Sequence, residues 1–300
     1  MNPQKTDNRI LAYSALAAGI LALSLSAMFV RWAGAPGPVT GFYRLIIATA
    51  LTAPLFIRSQ KKQPVRLWPH LLFPVLGGIF TACDFALWNT SVMYTTASNA
   101  TLLGNTSPLW VALAASLFFR ERLARDFWFG LALALTGAVL IVGNDFLVHS
   151  TFGIGDLLAC GAAVFYAAYL LTTQRGRMHI DVFRYWWLVS LVASIGLLVV
   201  NLVMGNKLGG FSTFTWLIFF ATAIVSQIIG YMSISYALGH LPASVVSPSL
   251  IGQPIVTTII AIPLLGEVPG LLQAAGGIVA LAGIYLVNQS HARAQQEIAN

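Results

Sequence analysis

The chain has 300 residues, of which 58% are hydrophobic and only 8% are charged. Its mean hydropathy is +0.80, whereas a soluble domain carries roughly 25% charged residues, so an ordinary water-soluble domain is excluded. In lipid, every backbone polar group must be bonded internally, which leaves helices or closed barrels. The long, unbroken apolar runs favour helices over the short alternating segments of a barrel.

A membrane-spanning helix needs about 20 mostly apolar residues, and ten runs of about this length follow one another along the chain. Short connections join them and leave no room for a soluble domain. The predicted spans, numbered 1 to 10, are Ile10–Trp32, Pro38–Ile57, Trp68–Thr90, Ala97–Phe119, Phe127–Gly143, Ile154–Gln174, Phe183–Met204, Phe211–Leu238, Pro242–Leu265 and Gly270–Gln289.

The net charge of +7 comes from short basic clusters between the apolar runs, a pattern typical of cytoplasmic loops and not of a nucleic-acid-binding surface. If ten spans alternate in direction, most of the 16 basic residues fall on one side, and the positive-inside rule then places both termini in the cytoplasm. The residues on that side are Lys5, Arg9, Arg58, Lys61, Lys62, Arg66, Arg120, Arg122, Arg125, Arg175, Arg177, Arg184 and Arg293.

The two halves of the chain resemble each other at an offset of 146 residues. The offset needs no gap, and it divides the chain into residues 1–146 and 147–300 with five predicted spans each. An odd number of spans per half inverts the second copy, and inverted repeats are typical of secondary transporters that bind substrate near the midplane. The matched residues are Pro108 and Pro254, Glu121 and Glu267, Gly130 and Gly276, and Gly137 and Gly283.

This pattern of a proline, then a glutamate at a helix end, then a glycine-punctuated helix, twice over, resembles the EamA domains of the drug/metabolite transporter superfamily. Within that superfamily the chain is most similar to the YddG-type exporters of aromatic and other neutral amino acids. The resemblance implies an all-α membrane carrier with ten helices, a central cavity walled by spans 1–4 and 6–9, and export by alternating access. One departure is that the second half lacks the arginines that flank Glu121 in the first.

Arg44 and Asp84 are charged residues inside predicted spans 2 and 3. Such residues are expensive in lipid and usually face a cavity or a partner. Both lie about six residues from the outer end of their span, which predicts a similar depth. Two interpretations stay open: a structural ion pair, or a site that binds the charged group of a substrate or carries a proton.

Small polar and aromatic residues are enriched in spans 3, 4, 8 and 9. Many of them can hold helices together, but a cavity for a zwitterion also needs donors, acceptors and aromatic walls. With Arg44 and Asp84, the predicted substrate-binding residues are Tyr43, Trp88, Asn89, Asn99, Thr101, Asn105, Gln227, Tyr231, Ser244, Ser247 and Gln253. Trp32, Trp68, Trp186, Trp187 and Trp216, near span ends, are expected to be interfacial anchors.

Pro108 and Pro254 occupy matched positions inside spans 4 and 9. A proline within a helix removes a backbone hydrogen bond and kinks the helix. One hypothesis is that each proline only gives its helix a fixed, kinked shape. The other, favoured by the symmetry of the pair, is a hinge whose freed carbonyls face the cavity.

The sequence therefore predicts a secondary exporter of aromatic or other neutral amino acids in a bacterial-type inner membrane. A proton-coupled exporter of cationic drugs is the alternative, and a membrane-embedded enzyme is a remote one because no catalytic motif is evident. No metal or cofactor is expected. The expected partners are a small-molecule substrate and membrane lipid, without nucleic acid. The oligomeric state is left open, with a monomer as the working expectation.

Overall fold

The computed structural model describes residues 3–62, 68–94, 103–118, 120–121, 123–148, 153–265 and 270–299, and every regular element in these ranges is helical. A π-helix, Ala223–Tyr231, joins α9 to α10, and a short 3₁₀ turn covers Trp68–His70. The α-helices in chain order are α1 (Pro3–Ser24), α2 (Ser26–Ala33), α3 (Gly37–Lys62), α4 (Leu72–Tyr94), α5 (Ser107–Phe118), α6 (Arg125–Val148), α7 (Ile154–Arg177), α8 (Val182–Val203), α9 (Thr213–Thr222), α10 (Met232–Leu238), α11 (Ala243–Ser249), α12 (Gly252–Leu265) and α13 (Leu271–Ala299).

Seven helical stretches in the described residues are long and apolar enough to cross a membrane. They correspond to predicted spans 1, 2, 3, 6, 7, 8 and 10. Predicted span 5 corresponds to the 24-residue α6, whereas spans 4 and 9 correspond to shorter helices. The ten-span topology and the side on which the termini lie stay predictions. The seven stretches are Arg9–Val30, Gly37–Lys61, Leu72–Ser91, Ile154–Arg177, Val182–Val203, Thr213–Leu238 and Leu271–Arg293.

Large apolar side chains cover the outside of these helices. Leu271 is 93% exposed, Val203 81% and Phe118 79%. Water-soluble monomers rarely expose contiguous apolar surface of this kind, whereas lipid tails accept it at no penalty. The helices therefore belong to a multi-pass membrane protein.

The chain divides into two compact units, and each unit combines a segment from both predicted halves. Unit 1 comprises residues 1–90 and 168–242, and unit 2 comprises residues 91–167 and 243–300.

In unit 1, α3 packs along α8 around a core of Leu45, Ala82, Ala193 and Leu197. Hydrogen bonds fix this pair near both ends. Near the start of α3, Asn201 Nδ2 donates to the carbonyl of Pro38 at 2.9 Å. Near its end, Arg184 Nη2 donates to the carbonyl of Ser59 at 2.8 Å. These contacts hold α3, which carries Arg44, in a defined register.

In unit 2, the main contact is the antiparallel pairing of α6 with α13 through glycines. A methyl group placed on Gly130 would lie 3.0 Å from the carbonyl oxygen of Gly283, and one on Gly137 would lie 2.6 Å from that of Gly276. Only residues without a side chain allow such an approach, as in other small-residue helix contacts in membranes. These glycines thus allow close packing of two helices within the chain, and the contacts are reciprocal at the 146-residue offset.

The structure corrects the predicted position of the two matched prolines. Pro108 is the second residue of α5, directly after a turn at Asn105 and Thr106, and Pro254 is the third residue of α12, after a turn at Leu250 and Ile251. Neither lies inside an unbroken helix. Proline has no N–H and collides with the preceding turn, but it fits the first turn of a helix, where that N–H would be unpaired anyway. The chain therefore starts a new helix at each proline.

Side-chain caps fix several helix starts. Asp181 accepts a hydrogen bond from the backbone N–H of Arg184 at 3.1 Å, at the start of α8. Ser212 accepts one from Thr215 N–H, also at 3.1 Å, at the start of α9. At the start of α7 the carboxylate of Asp156 accepts from Gly153 N–H at 2.8 Å, which satisfies one of the unpaired amides of a helix start.

Candidate functional site

The most distinctive polar group in unit 1 is the guanidinium of Arg44, two turns into α3. Arg44 is only 6% exposed. Its Nε donates to Gln227 Oε1 at 3.0 Å and its Nη1 to Ser26 Oγ at 3.0 Å. Both acceptors are neutral, so these bonds orient the cation without cancelling its charge.

Two aromatic rings flank the same guanidinium. Its Cζ lies 4.7 Å from the ring centre of Phe85 and 5.0 Å from that of Tyr231. The two rings themselves stand 6.1 Å apart at 72°. Cation–π contacts at this range stabilise a desolvated guanidinium by about 2 kcal/mol. The rings therefore support the buried cation while leaving it charged.

Gln227 is held by bonds at three points. Its Oε1 accepts from Arg44, its Nε2 donates to Ser190 Oγ at 3.2 Å, and its backbone carbonyl accepts from Trp186 Nε1 at 3.1 Å. Gln227 lies in the π-helix, whose wider turn is rare and often marks a functional site. This turn brings both Gln227 and Tyr231 against Arg44.

Asp84 precedes Phe85 on α4 and is half-buried. Its charge interacts electrostatically with that of Arg44, and both residues interact in the same way with Tyr169 and Tyr231. The ion pairs within 4.0 Å among the described residues are Arg184–Asp181 and Arg293–Asp126, so Arg44 and Asp84 do not form one. The contact ion pair that the sequence left open is thus not formed.

Five residues form what we call the Arg44 cluster, and their chemistry suits the binding of an anion: Arg44, Asp84, Phe85, Gln227 and Tyr231. A buried charge is costly unless it is paired. Two N–H groups of Arg44 are engaged by neutral acceptors, and the planar guanidinium fork matches carboxylates in a bidentate geometry. The cluster is suited to receive an anionic group beside aromatic surface.

The structure also describes three further predicted residues of unit 1. Tyr43 stacks on Phe219 and meets Trp216 edge-on, both at 4.8 Å, and its hydroxyl donates to the carbonyl of Leu208. Trp88 and Asn89 lie one turn beyond Phe85 on α4 and are half-buried. Asn89 Nδ2 donates to the carbonyl of Phe85 at 2.6 Å.

The predicted residues of unit 2 fall into two groups. Ser244 Oγ donates to Glu121 Oε2 at 2.9 Å, so it has a structural partner. Asn105 Nδ2 and Ser247 Oγ are buried, and neither has a hydrogen-bond partner among the described residues. Gln253 is half-buried beside Pro254. Asn99 and Thr101 lie outside the described residues.

The sequence did not predict Phe85 or the residues that hold Arg44 and Gln227 in place. Phe85 looked like any apolar residue of a span, and Ser26 and Ser190 looked like small helix-packing residues. Trp186, expected at the interface, is 1% exposed and bonded to the carbonyl of Gln227. A buried cation needs nearby acceptors, but sequence alone does not say which residues supply them.

An all-helical apolar fold with charges buried within its spans defines a multi-pass membrane protein. The family model of the EamA-like transporter family matches the chain twice, over residues 10–143 and 153–289, and the chain belongs to that family. It is a small-molecule transporter.

Individual relatives agree with this class. An uncharacterized transporter, YdfC of Bacillus subtilis, is 26% identical and the alignment covers 87% of this chain and 89% of the relative. A probable terminal-alkyne amino-acid exporter of Streptantibioticus cattleyicolor is 26% identical, with 81% and 80% covered. The pseudopaline exporter CntI of Pseudomonas aeruginosa is 25% identical, with 79% and 81% covered.

A crystal structure of a protein with 18% sequence identity superimposes with a TM-score of 0.75, covering 93% of this chain and 97% of that one. At this identity the likeness shows the fold alone.

Proposed function

We propose that the protein is a secondary transporter that exports aromatic or other neutral amino acids by alternating access. It would sit in a bacterial-type inner membrane as ten spans in two inverted repeats, with both termini in the cytoplasm. The two matches of the family model and the one-sided basic residues support this arrangement. The reciprocal glycine contacts of α6 and α13 support the two-fold relation of the repeats.

The observation that carries the proposal is the buried charge of Arg44. Within the described residues the groups that accept hydrogen bonds from Arg44 are neutral, and no carboxylate lies within 4.0 Å. An intramembrane cation without an anionic contact partner favours a ligand that supplies the anion. Amino acids supply a carboxylate, and the rings of Phe85 and Tyr231 give apolar surface for a side chain. That one relative is named an amino-acid exporter agrees with this class.

The remaining predicted residues stay candidates for substrate contacts, with different support. Asn105 and Ser247 have the stronger support, since a buried polar atom without a partner costs about 1–3 kcal/mol. The hinge hypothesis also stands in revised form: the breaks before Pro108 and Pro254 would flex between the two access states.

A second candidate is a proton-coupled exporter of cationic drugs. The observation that favours it is Asp84, whose carboxylate has no ion-pair partner within 4.0 Å in the described part of the chain. The nearby Arg44 opposes it, because a buried guanidinium repels a second cation. A membrane-embedded enzyme is not favoured, since the family and the relatives are transporters.

Counterflow in liposomes tests the proposal. Purified protein is reconstituted, the vesicles are loaded with unlabelled phenylalanine, threonine or methionine, and entry of the labelled amino acid is followed with and without a pH gradient. Saturable entry above that of protein-free vesicles supports an amino-acid carrier. Entry of the cation ethidium, with none for the amino acids, overturns the proposal in favour of drug export.

A further inference from the structure

Arg44 and Asp84 are a base and an acid on neighbouring helices of unit 1, yet their side chains are not in contact. Their charges interact, but no nitrogen of Arg44 lies within 4.0 Å of the Asp84 carboxylate. Two long helices could bring such side chains into contact at little cost, and a contacting pair would be the ordinary solution inside a membrane. The separation of the Arg44 and Asp84 side chains is therefore unusual.

Bonds to neutral groups hold Arg44 in place. Gln227 and Ser26 accept from two of its nitrogens, and Phe85 and Tyr231 flank it. The position of Gln227 is fixed in turn by its hydrogen bonds with Ser190 and Trp186. This scaffold holds the guanidinium in a preorganised position, which lowers the free energy of binding a ligand there.

The Asp84 carboxylate has no such scaffold. Within the described residues it accepts no hydrogen bond and forms no ion pair. A half-buried carboxylate without donors is as costly as an unpaired cation. Each pole of the pair thus lacks a contact partner of opposite charge.

We infer that Arg44 and Asp84 are the two poles of one zwitterion site, in which Arg44 binds the α-carboxylate and Asp84 the α-ammonium group. This inference rests on the proposed function. A contacting ion pair would leave no room for a zwitterion, whereas two groups that are not in contact leave both charges available to one ligand. One ligand then satisfies both charges at once.

The ring of Phe85, next to Asp84 in sequence and packed on Arg44, is placed to contact the substrate near its α-carbon. Tyr169 and Tyr231 lie within electrostatic range of both poles and offer hydroxyl groups. The site thus favours α-amino acids with both groups free, and disfavours their amides, esters and N-acyl derivatives.

The test pairs variants with substrate analogues in the reconstituted full-length protein. Three compounds compete with labelled phenylalanine in counterflow: phenylalanine itself, 3-phenylpropionate, which lacks the ammonium, and phenylalaninamide, which lacks the carboxylate. Each charge-assisted bond is worth about tenfold in affinity or more, so each analogue should bind the wild type at least about tenfold more weakly than phenylalanine.

The variants should remove these preferences one at a time. Asp84→Asn should lower the affinity for phenylalanine at least about tenfold. It should change the affinity for 3-phenylpropionate by no more than about twofold, because that analogue has no ammonium group for Asp84 to bind. Arg44→Gln should lower the affinity for phenylalanine by a similar factor and leave the affinity for phenylalaninamide nearly unchanged. A stability measurement on each variant, with Asp84→Ser as a second removal of the carboxylate, separates binding from misfolding.

Two results would overturn the inference. If Asp84→Asn lowers the affinities for phenylalanine and 3-phenylpropionate alike, or lowers neither affinity, Asp84 does not bind the ammonium group. If wild-type protein shows no saturable phenylalanine counterflow, the proposed function fails and this inference fails with it. Counterflow without the matched analogue response refutes the zwitterion site alone.

Discussion

Arg44 Nε donates to Gln227 Oε1 at 3.0 Å, although 183 residues separate the two. The bond joins α3 to the π-helix and therefore ties the first half of the sequence to the second. Gln227 Oε1 occupies a position where a carboxylate oxygen could meet the guanidinium. This contact lies at the centre of the proposed substrate site.

Removing the Arg44 charge should weaken transport at low substrate concentration. Loss of hydrogen bonds to a charged group costs about 1.5–3 kcal/mol, so kcat/KM for phenylalanine counterflow should fall about 10- to 100-fold in Arg44→Gln. Arg58→Gln, an exposed position on the same helix, is the matched control and should stay within about twofold, as surface changes usually do. Equal losses of kcat/KM in both variants would mean that removing any positive charge from α3 slows transport, and that Arg44 does not bind the substrate.

Replacing Pro254 should slow turnover more than it weakens binding. Alanine restores an N–H that can continue the helix across the break at Leu250 and Ile251. One added hydrogen bond of about 1 kcal/mol corresponds to about fivefold slower turnover if the break must flex. Pro74→Ala is the matched control, since Pro74 is also the third residue of its helix. Separate kcat and KM values from counterflow decide the matter, and unchanged turnover in Pro254→Ala rejects the hinge.

Two adjacent glycines on α13 should respond in opposite ways to the same substitution. A Cβ on Gly276 would lie 2.8 Å from the carbonyl oxygen of Gly137, whereas a Cβ on Gly277 would have its nearest neighbour, Ile255 Cγ2, at 3.9 Å. Overpacking costs about 1–3 kcal/mol, so Gly276→Ala should lower the Tm measured in detergent. Gly277→Ala should not, because alanine favours a helix by about 1 kcal/mol. Equal Tm values would show that α6 and α13 do not pack as described.

Arg120 has a φ of +54°, in the left-handed region that favours glycine. It follows the end of α5, and Glu121 N–H donates to the carbonyl of Ala115 at 3.1 Å. A left-handed residue after a helix end is most often glycine. Arg120→Gly should therefore raise stability by about 1 kcal/mol. Arg120→Ala, which removes the side chain and keeps the strained backbone, should not. Thermal unfolding of both variants provides the comparison, and equal Tm values would argue against strain.

The sequence predicted most of the fold because long apolar runs have one solution in lipid. It also predicted that Arg44, Asp84, Gln227 and Tyr231 matter, since polar residues in apolar runs stand out. It misplaced Pro108 and Pro254, because hydropathy windows run across a two-residue break.

The sequence could not show that Tyr43 packs away from its neighbour Arg44, with Phe219 and Trp216, because this depends on helix rotation. Nor could it show the π-helix at Ala223–Tyr231, because a wider turn leaves the mean hydropathy of the span unchanged.

The most direct test of the central claim, that Arg44 binds the substrate carboxylate, is phenylalanine counterflow in Gln227→Glu beside wild type. The substitution keeps the shape of the side chain and places a carboxylate at the 3.0 Å contact with Arg44. Close charge pairs in buried sites couple by about 1.5 kcal/mol or more, so phenylalanine should bind at least about tenfold more weakly, with a Tm no lower than that of wild type. Wild-type affinity in a folded Gln227→Glu protein would contradict the account, because Arg44 would then be satisfied internally and phenylalanine would still bind.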